Sequence, residues 1–87
     1  MKKIYKYQLR GVPDSNYKLE MPLGAKIVHI GIQLNILCLW VEVDPDEKST
    51  FRYFRIYGTG HKISANALYL GTVFDEPYVW HVYEELS

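Results

Sequence analysis

Hydrophobic and polar residues alternate along most of this chain with a period of two. Such alternation is typical of β-strands, because successive side chains of a strand point to opposite faces. Seven stretches follow it, at residues 4–9, 17–21, 27–32, 37–44, 51–57, 68–74 and 78–83, and β-branched and aromatic residues fill them. Strand patterns at this spacing predict an all-β fold, a small antiparallel β-sandwich or barrel of about seven short strands.

Residues that favour turns separate these stretches. Residues 11–14, 44–49 and 75–77 are rich in Gly, Pro and Asp, which predicts turns or polar connections. Gly24 is expected to take a positive φ in a turn, and Asn35 is expected in the left-handed region of a tight hairpin. Residues 64–67 can form one helical turn with Ser64 as its cap. The pattern supports no long helix.

The alternation also assigns faces within each strand. In the third stretch the two predicted rows are Val28, Ile30 and Ile32 on one face and Ile27, His29 and Gly31 on the other. Hydrophobic residues make up 48% of the chain and aromatic residues 15%. A chain of this length buries only about 60–65% of its unfolded surface. Some aromatic surface is therefore expected to stay exposed, and homo-oligomerisation is the expected way to cover it.

Length and charge narrow the functional classes. The 87 residues make a single domain, residues 1–87, in which ten Lys+Arg balance ten Asp+Glu. Zero net charge argues against a generic nucleic-acid binder and against a polybasic membrane-surface protein. Polar residues interrupt the longest apolar stretch, residues 27–41, which is too short to span a bilayer, and the N-terminus has no signal-peptide core. Cys38, the only cysteine, lies between two leucines and is expected to be an inert buried thiol in a reducing compartment.

Charge is segregated between the two ends of the chain. Residues 1–10 carry four basic residues and no acid, whereas residues 75–87 carry four acidic residues and no Lys or Arg. Opposite charges on facing strands stabilise a sheet. We therefore expect the first and last strands to be neighbours, or to meet across a subunit contact; the alternative is that both ends are simply solvated.

The segment most suggestive of binding is residues 52–61, where a strand leads into a loop with two glycines. Such a loop lets backbone N–H groups converge on an anion, and Thr59, Gly60 and His61 would line it. Arg55 can pair with a phosphate, and Tyr57 can stack on a base. These residues predict a site for a phosphorylated or nucleotide-like ligand. The alternative is a turn bracketed by glycines with a surface histidine.

Two tryptophans could supply an aromatic platform. Trp40 shares its strand face with Cys38, Glu42 and Asp44, a mixed face that fits ligand stacking as well as packing. Trp80 is expected in the core.

The residues that carry metal or catalytic chemistry show no recognisable spacing. The histidines, the cysteine and the carboxylates match no metal-binding motif. Neither a Ser-His-Asp set nor a pair of catalytic carboxylates can be assigned. We therefore expect no metal, no cofactor and no enzymatic activity. Aromatic and basic residues near the N-terminus and at residues 51–57 keep single-stranded nucleic-acid binding as an alternative, which the zero net charge disfavours.

Several segments resemble a family of short phage and prophage proteins known only as a domain of unknown function. They are residues 38–45, 55–61 and 79–84, together with residues 4–7 and the turn at residues 23–27. The resemblance covers nearly the whole chain and implies no particular activity. It implies a small accessory protein made by a phage inside a bacterium, and many such proteins act by binding.

The leading hypothesis is a non-enzymatic, homo-oligomeric phage accessory protein in the host bacterial cytoplasm that counters host defence by binding. It would sequester a nucleotide signal or block a defence protein, such as a CRISPR effector. The predicted ligand-binding residues are Arg55, Tyr57, Thr59, Gly60, His61 and Trp40. The alternatives are a nucleic-acid-binding β domain and a structural or virion-associated phage module.

Overall fold

A computed structural model of the chain describes residues 1–10 and 16–86. In these ranges the backbone forms seven strands: β1 (Lys3–Leu9), β2 (Asn16–Pro22), β3 (Lys26–Gln33), β4 (Ile36–Val43), β5 (Ser49–Gly58), β6 (Ala67–Asp75) and β7 (Tyr78–Glu85). The all-β prediction is confirmed. No helix capable of crossing a membrane occurs among these residues. The turn predicted at residues 11–14 lies outside the described residues.

The strands form two antiparallel sheets that pack against each other as a sandwich, not as a closed barrel. Sheet A has the order β1-β4-β3, and sheet B has the order β2-β5-β7-β6. The edge strands β3 and β6 approach closely, since a Cβ atom added to Gly71 would lie 3.1 Å from Cδ1 of Ile30. Packed side chains therefore close this lateral edge of the sandwich.

Within the chain, the first and last strands are not neighbours, so that part of the prediction is wrong. β1 pairs with β4 in sheet A, and β7 lies between β5 and β6 in sheet B. The charged ends find other partners: Nζ of Lys2 lies 3.4 Å from Oε1 of Glu42 on β4. Glu84 on β7 forms an ion pair with Arg52 on β5. An exposed ion pair contributes at most about 1 kcal/mol, too little to decide strand order against the burial of apolar faces.

The core lies between the two sheets. From sheet A it receives the alternate residues of β4, which are Leu37, Leu39, Val41 and Val43. From sheet B it receives Phe54, Ile56 and Val82. The intervening residues of each strand occupy the outer face of its sheet. Cys38 is on the outer face of sheet A, yet it is fully buried as predicted.

A β-bulge corrects the predicted faces of β3. The register places Ile27 opposite Val41 and His29 opposite Trp40, so Val28 is the extra residue. An extra residue reverses the alternation on either side of it. Ile27 therefore packs against the core, on the same side as Ile30, and Val28 is left 46% exposed.

The predicted left-handed residues are confirmed at both turns. Gly24 has φ 79°, and Asn35 has φ 63° in the tight hairpin between β3 and β4. Leu34 precedes Asn35 with φ 53°, and positive φ at both central residues is the signature of a type I′ hairpin turn. Ser64 caps a single turn, in which Asn66 N donates to its Oγ (3.4 Å) and Ala67 N to its carbonyl (3.2 Å). The chain enters β6 at once, so the predicted helical turn does not form.

Residues 59–66 connect two parallel strands of sheet B. β5 and β6 both run antiparallel to β7 and flank it, with Gly58 paired to Trp80 and Ala67 paired to Glu85. The connection therefore has to return along the length of β7. It starts at the predicted binding turn and brings Ser64 against Tyr57, where Ser64 N donates to the tyrosine hydroxyl at 3.3 Å.

Candidate ligand-binding site

The turn that ends β5 has the geometry expected from its two glycines. His61 N donates to the carbonyl of Gly58 at 3.2 Å, which closes residues 58–61, here called the glycine turn. Gly60 has φ 90°, a conformation that a side chain would strain. The His61 ring lies against Gly58, whose N–H donates to Nδ1 at 3.4 Å. A Cβ atom on Gly58 would lie 3.0 Å from this ring, so the close approach depends on glycine.

The glycine turn forms one wall of an open cleft of about 570 Å³, here called the turn cleft. Its lining residues are Gly58, Thr59, His61, Pro77, Tyr78, Val79 and Trp80. The Tyr78 and Trp80 rings stack at 5.3 Å between centroids with an interplanar angle of 17°, as side chains two residues apart on one strand face can. This aromatic pair gives the turn cleft a flat apolar wall beside the polar glycine turn.

A chain of polar contacts fixes Thr59 at the edge of the turn cleft. Thr59 Oγ1 lies 2.9 Å from Nε2 of His81, and Nδ1 of His81 lies 3.0 Å from Oγ1 of Thr72. Thr72 Oγ1 in turn lies 2.6 Å from the hydroxyl of Tyr69. Two hydroxyl partners satisfy both ring nitrogens in either tautomer. The two contacts therefore hold the His81 ring in one orientation.

Arg55 and Tyr57 lie on the outer face of sheet B and do not line the turn cleft. Tyr57 is 2% exposed, and its hydroxyl donates to Oε1 of Glu85 at 2.9 Å. Burial raises the pKa of Tyr57 above its ordinary value, and the hydrogen bond to Glu85 adds to this. The Arg55 guanidinium carbon lies 5.2 Å from the centre of the Tyr57 ring. These contacts occupy Tyr57 within the protein and leave none of its ring open for a base.

Trp40 lies on the other sheet. It occupies the outer face of β4, half-buried, with its ring 5.5 Å from that of His29. Of the six predicted ligand-binding residues, Thr59, Gly60 and His61 thus come together at the glycine turn. Arg55 and Tyr57 are on the outer face of sheet B, and Trp40 is on that of sheet A.

Sequence reasoning missed the aromatic pair as part of the site. Trp80 does pack partly against the core as expected, and Tyr78 lies two residues before it on the same strand face. Trp80 also borders a second cavity of about 610 Å³, which lies between the open ends of the two sheets. Arg10, Asn35 and Asp75 are among the residues that line this cavity. The available signal was the turn predicted at residues 75–77, because it places Tyr78 and Trp80 near the start of a strand and therefore at the end of the sandwich.

The described residues contain no group of three or more His, Cys, Asp or Glu side chains placed to hold a metal ion.

A search of curated proteins found no match to the chain, and a search of solved structures found none either. The family model described as domain of unknown function DUF7352 matches residues 1–87. The chain therefore belongs to the DUF7352 family.

Proposed function

We propose that the chain is a phage accessory protein that counters a bacterial host defence by binding, without catalysis, in the host cytoplasm. Its ligand is a nucleotide-like small molecule held in the turn cleft. The phage context comes from the sequence resemblance described above. The main support for this ligand is the stacked Tyr78–Trp80 pair, which lines the same cleft as the glycine turn.

The size and the aromatic wall of the turn cleft suit a planar ring. About 570 Å³ falls within the range of small-molecule sites, roughly 300–1,000 Å³. Tyr78 is 57% exposed, so ring surface remains for a base to extend the stack that Trp80 begins. Stacking of a base on an aromatic side chain contributes about 1–3 kcal/mol and tolerates different bases.

The glycine turn supplies polar groups beside that wall. Thr59 brings a hydroxyl that His81 holds in place at 2.9 Å, and His61 brings an imidazole braced against Gly58. Hydroxyl and imidazole groups can both donate and accept hydrogen bonds, which suits the edge of a base or a ribose. Both groups are positioned before a ligand arrives, so binding loses little conformational freedom.

A protein target is the second candidate, and exposed apolar side chains favour it. Phe74 is 72% exposed on β6, and Leu34 is 84% exposed at the tip of the β3–β4 hairpin. Asn35 and Asp75, their chain neighbours, line the same cavity at the open end of the sandwich. Exposed apolar surface of this kind often marks a protein interface. If the ligand is a protein, Phe74→Ser should abolish binding of that protein and leave any nucleotide binding intact.

The test is a thermal-shift assay of the purified chain against a panel of cyclic and linear nucleotides. A bound nucleotide raises the melting temperature by an amount that grows with its concentration. His61→Ala should reduce that shift, because it removes a wall of the turn cleft. Lys62→Ala, at the neighbouring exposed residue outside the cleft lining, is the matched control and should keep the shift. A panel that leaves melting unchanged rules out the nucleotide ligand.

A further inference from the structure

Two arginines three residues apart on β5 have opposite environments. Arg52, on the inner face, donates from Nε and NH2 to the two carboxylate oxygens of Glu84, at 2.7 Å each, and from NH1 to the carbonyl of Ala25. Arg55, on the outer face, makes no hydrogen bond and no ion pair with any described residue. Its Nε atom is buried and has no hydrogen-bond partner among residues 1–10 and 16–86. Buried polar groups in folded proteins are nearly always hydrogen-bonded, so Arg55 lacks an expected acceptor within the described residues.

The Arg55 side chain is nevertheless held in place. Its guanidinium lies over the Tyr57 ring, 5.2 Å from the centroid. Tyr57 is itself fixed, because its hydroxyl contacts both Glu85 and Ser64 and its ring packs edge-on against Tyr83 at 5.4 Å. The guanidinium is planar by itself, and its contact with a fixed ring limits its movement, which suits recognition of a planar or tetrahedral oxyanion.

Two uncharged donors flank Arg55 on the same face. The register pairs Arg55 with Asn16 on β2 and with Tyr83 on β7, so the three side chains form a row across the sheet. Neighbouring strands are about 4.8 Å apart, which lets one small group contact adjacent members of the row. An amide, a guanidinium and a phenol together offer donors without further positive charge.

We propose that Arg55, Asn16 and Tyr83 form an oxyanion-binding site on the outer face of sheet B, separate from the turn cleft. Its ligand is a carboxylate or phosphate group that accepts hydrogen bonds from the Arg55 guanidinium. Glu85 shares this face and already accepts the Tyr57 hydroxyl, and Glu20 shares it on β2. Lys18 lies between Asn16 and Glu20 on the same face, so the surrounding charges do not select between a singly and a doubly charged group.

The test follows the side-chain Nε–H signals of the three arginines by NMR while acetate or inorganic phosphate is added at constant ionic strength. Arg55 should show a saturable shift. Arg52, whose donors are occupied by Glu84, and Arg10, which is exposed, should not. Arg55→Lys should weaken binding at least about tenfold, because lysine cannot form the bidentate contact. Tyr83→Phe should weaken it less.

A response to acetate alone identifies a carboxylate site, a response to phosphate alone identifies a phosphate site, and a response to both supports a general oxyanion site. An Arg55 shift no larger than that of Arg10 would overturn the proposal. Trp80→Phe should leave the Arg55 response unchanged, so failure of the turn-cleft proposal and failure of this one can be told apart.

Discussion

Arg52 and Glu84 form a bidentate ion pair on the inner face of sheet B, with both nitrogen–oxygen distances at 2.7 Å. The pair joins β5 to β7, and the third contact of Arg52, to the carbonyl of Ala25, joins both to the turn before β3. Glu84 is only 8% exposed. The hydrogen bonds that Arg52 donates to Glu84 raise the pKa of Arg52 above its ordinary value. A charged contact thus lies inside a core that is otherwise apolar.

Removing one partner of this ion pair should destabilise the protein strongly. Glu84→Gln leaves the Arg52 guanidinium partly buried without its counter-charge, and such changes cost about 3–5 kcal/mol. Chemical denaturation gives the free energy of unfolding. Glu42→Gln is the matched control, because its ion pair with Lys2 is exposed and contributes at most about 1 kcal/mol. Equal losses in the two variants would contradict the structural role of Glu84.

Tyr17→Phe should stabilise the protein. The Tyr17 hydroxyl is buried and has no hydrogen-bond partner among the described residues, so its removal relieves a desolvation penalty of about 1 kcal/mol. Tyr57→Phe is the matched comparison, because that hydroxyl has two partners and its loss should destabilise by about 1 kcal/mol. Urea melts of the two variants should therefore shift in opposite directions, and a shift in the same direction would contradict the assignment.

Alkaline pH should destabilise the protein in part through Tyr57. Burial raises the pKa of Tyr57 above 10.0, so the neutral phenol is favoured in the folded state. The stability this contributes is fully present below about pH 10 and is lost as the pH rises through the folded-state pKa. Tyr57→Phe should show a smaller decrease in unfolding free energy between about pH 9 and about pH 11. Tyr7 and Tyr17, whose pKa values burial also raises, account for a remaining decrease. Identical decreases in variant and wild type would refute this contribution.

Leu34→Asn should stabilise the β3–β4 hairpin. Leu34 has φ 53° and is 84% exposed, so the replacement relieves left-handed strain without loss of packing. The expected gain is about 1 kcal/mol, measured by thermal or chemical denaturation. Leu34→Ala removes the same exposed side chain but keeps the strain, and it should bring no such gain. A gain of similar size in both variants would point to surface hydrophobicity instead.

The strand content of the fold was predictable, but the arrangement of the strands was not. Alternation located all seven strands, and Asn35 and Gly24 marked their turns correctly. Alternation records which residues share a face and carries no information on which strands are neighbours. The charged chain ends therefore led to the wrong pairing within the chain. The bulge at Val28 was also invisible, because a single inserted residue leaves no mark in a run of apolar side chains.

Only the part of the candidate site that is built from consecutive residues was predictable from the sequence. The glycine turn with Thr59 and His61 follows from consecutive residues, whereas the aromatic wall beside it comes from the β6–β7 hairpin. Trp80 reaches this wall because β7 pairs with β5, a long-range relationship that alternation does not reveal. Alternation does place Arg52 and Arg55 on opposite faces of β5, but it could not reveal that Glu84 on β7 pairs with Arg52.

Tryptophan fluorescence during nucleotide titration can locate a bound nucleotide at the turn cleft, because the two tryptophans lie on different sheets. Trp80 borders the turn cleft, whereas Trp40 lies on the outer face of sheet A beside His29. We expect a nucleotide to quench the fluorescence of Trp40→Phe, in which only Trp80 emits, and to leave Trp80→Phe unchanged. Quenching that persists in Trp80→Phe and disappears in Trp40→Phe, or no quenching in either variant, would contradict ligand binding at the turn cleft.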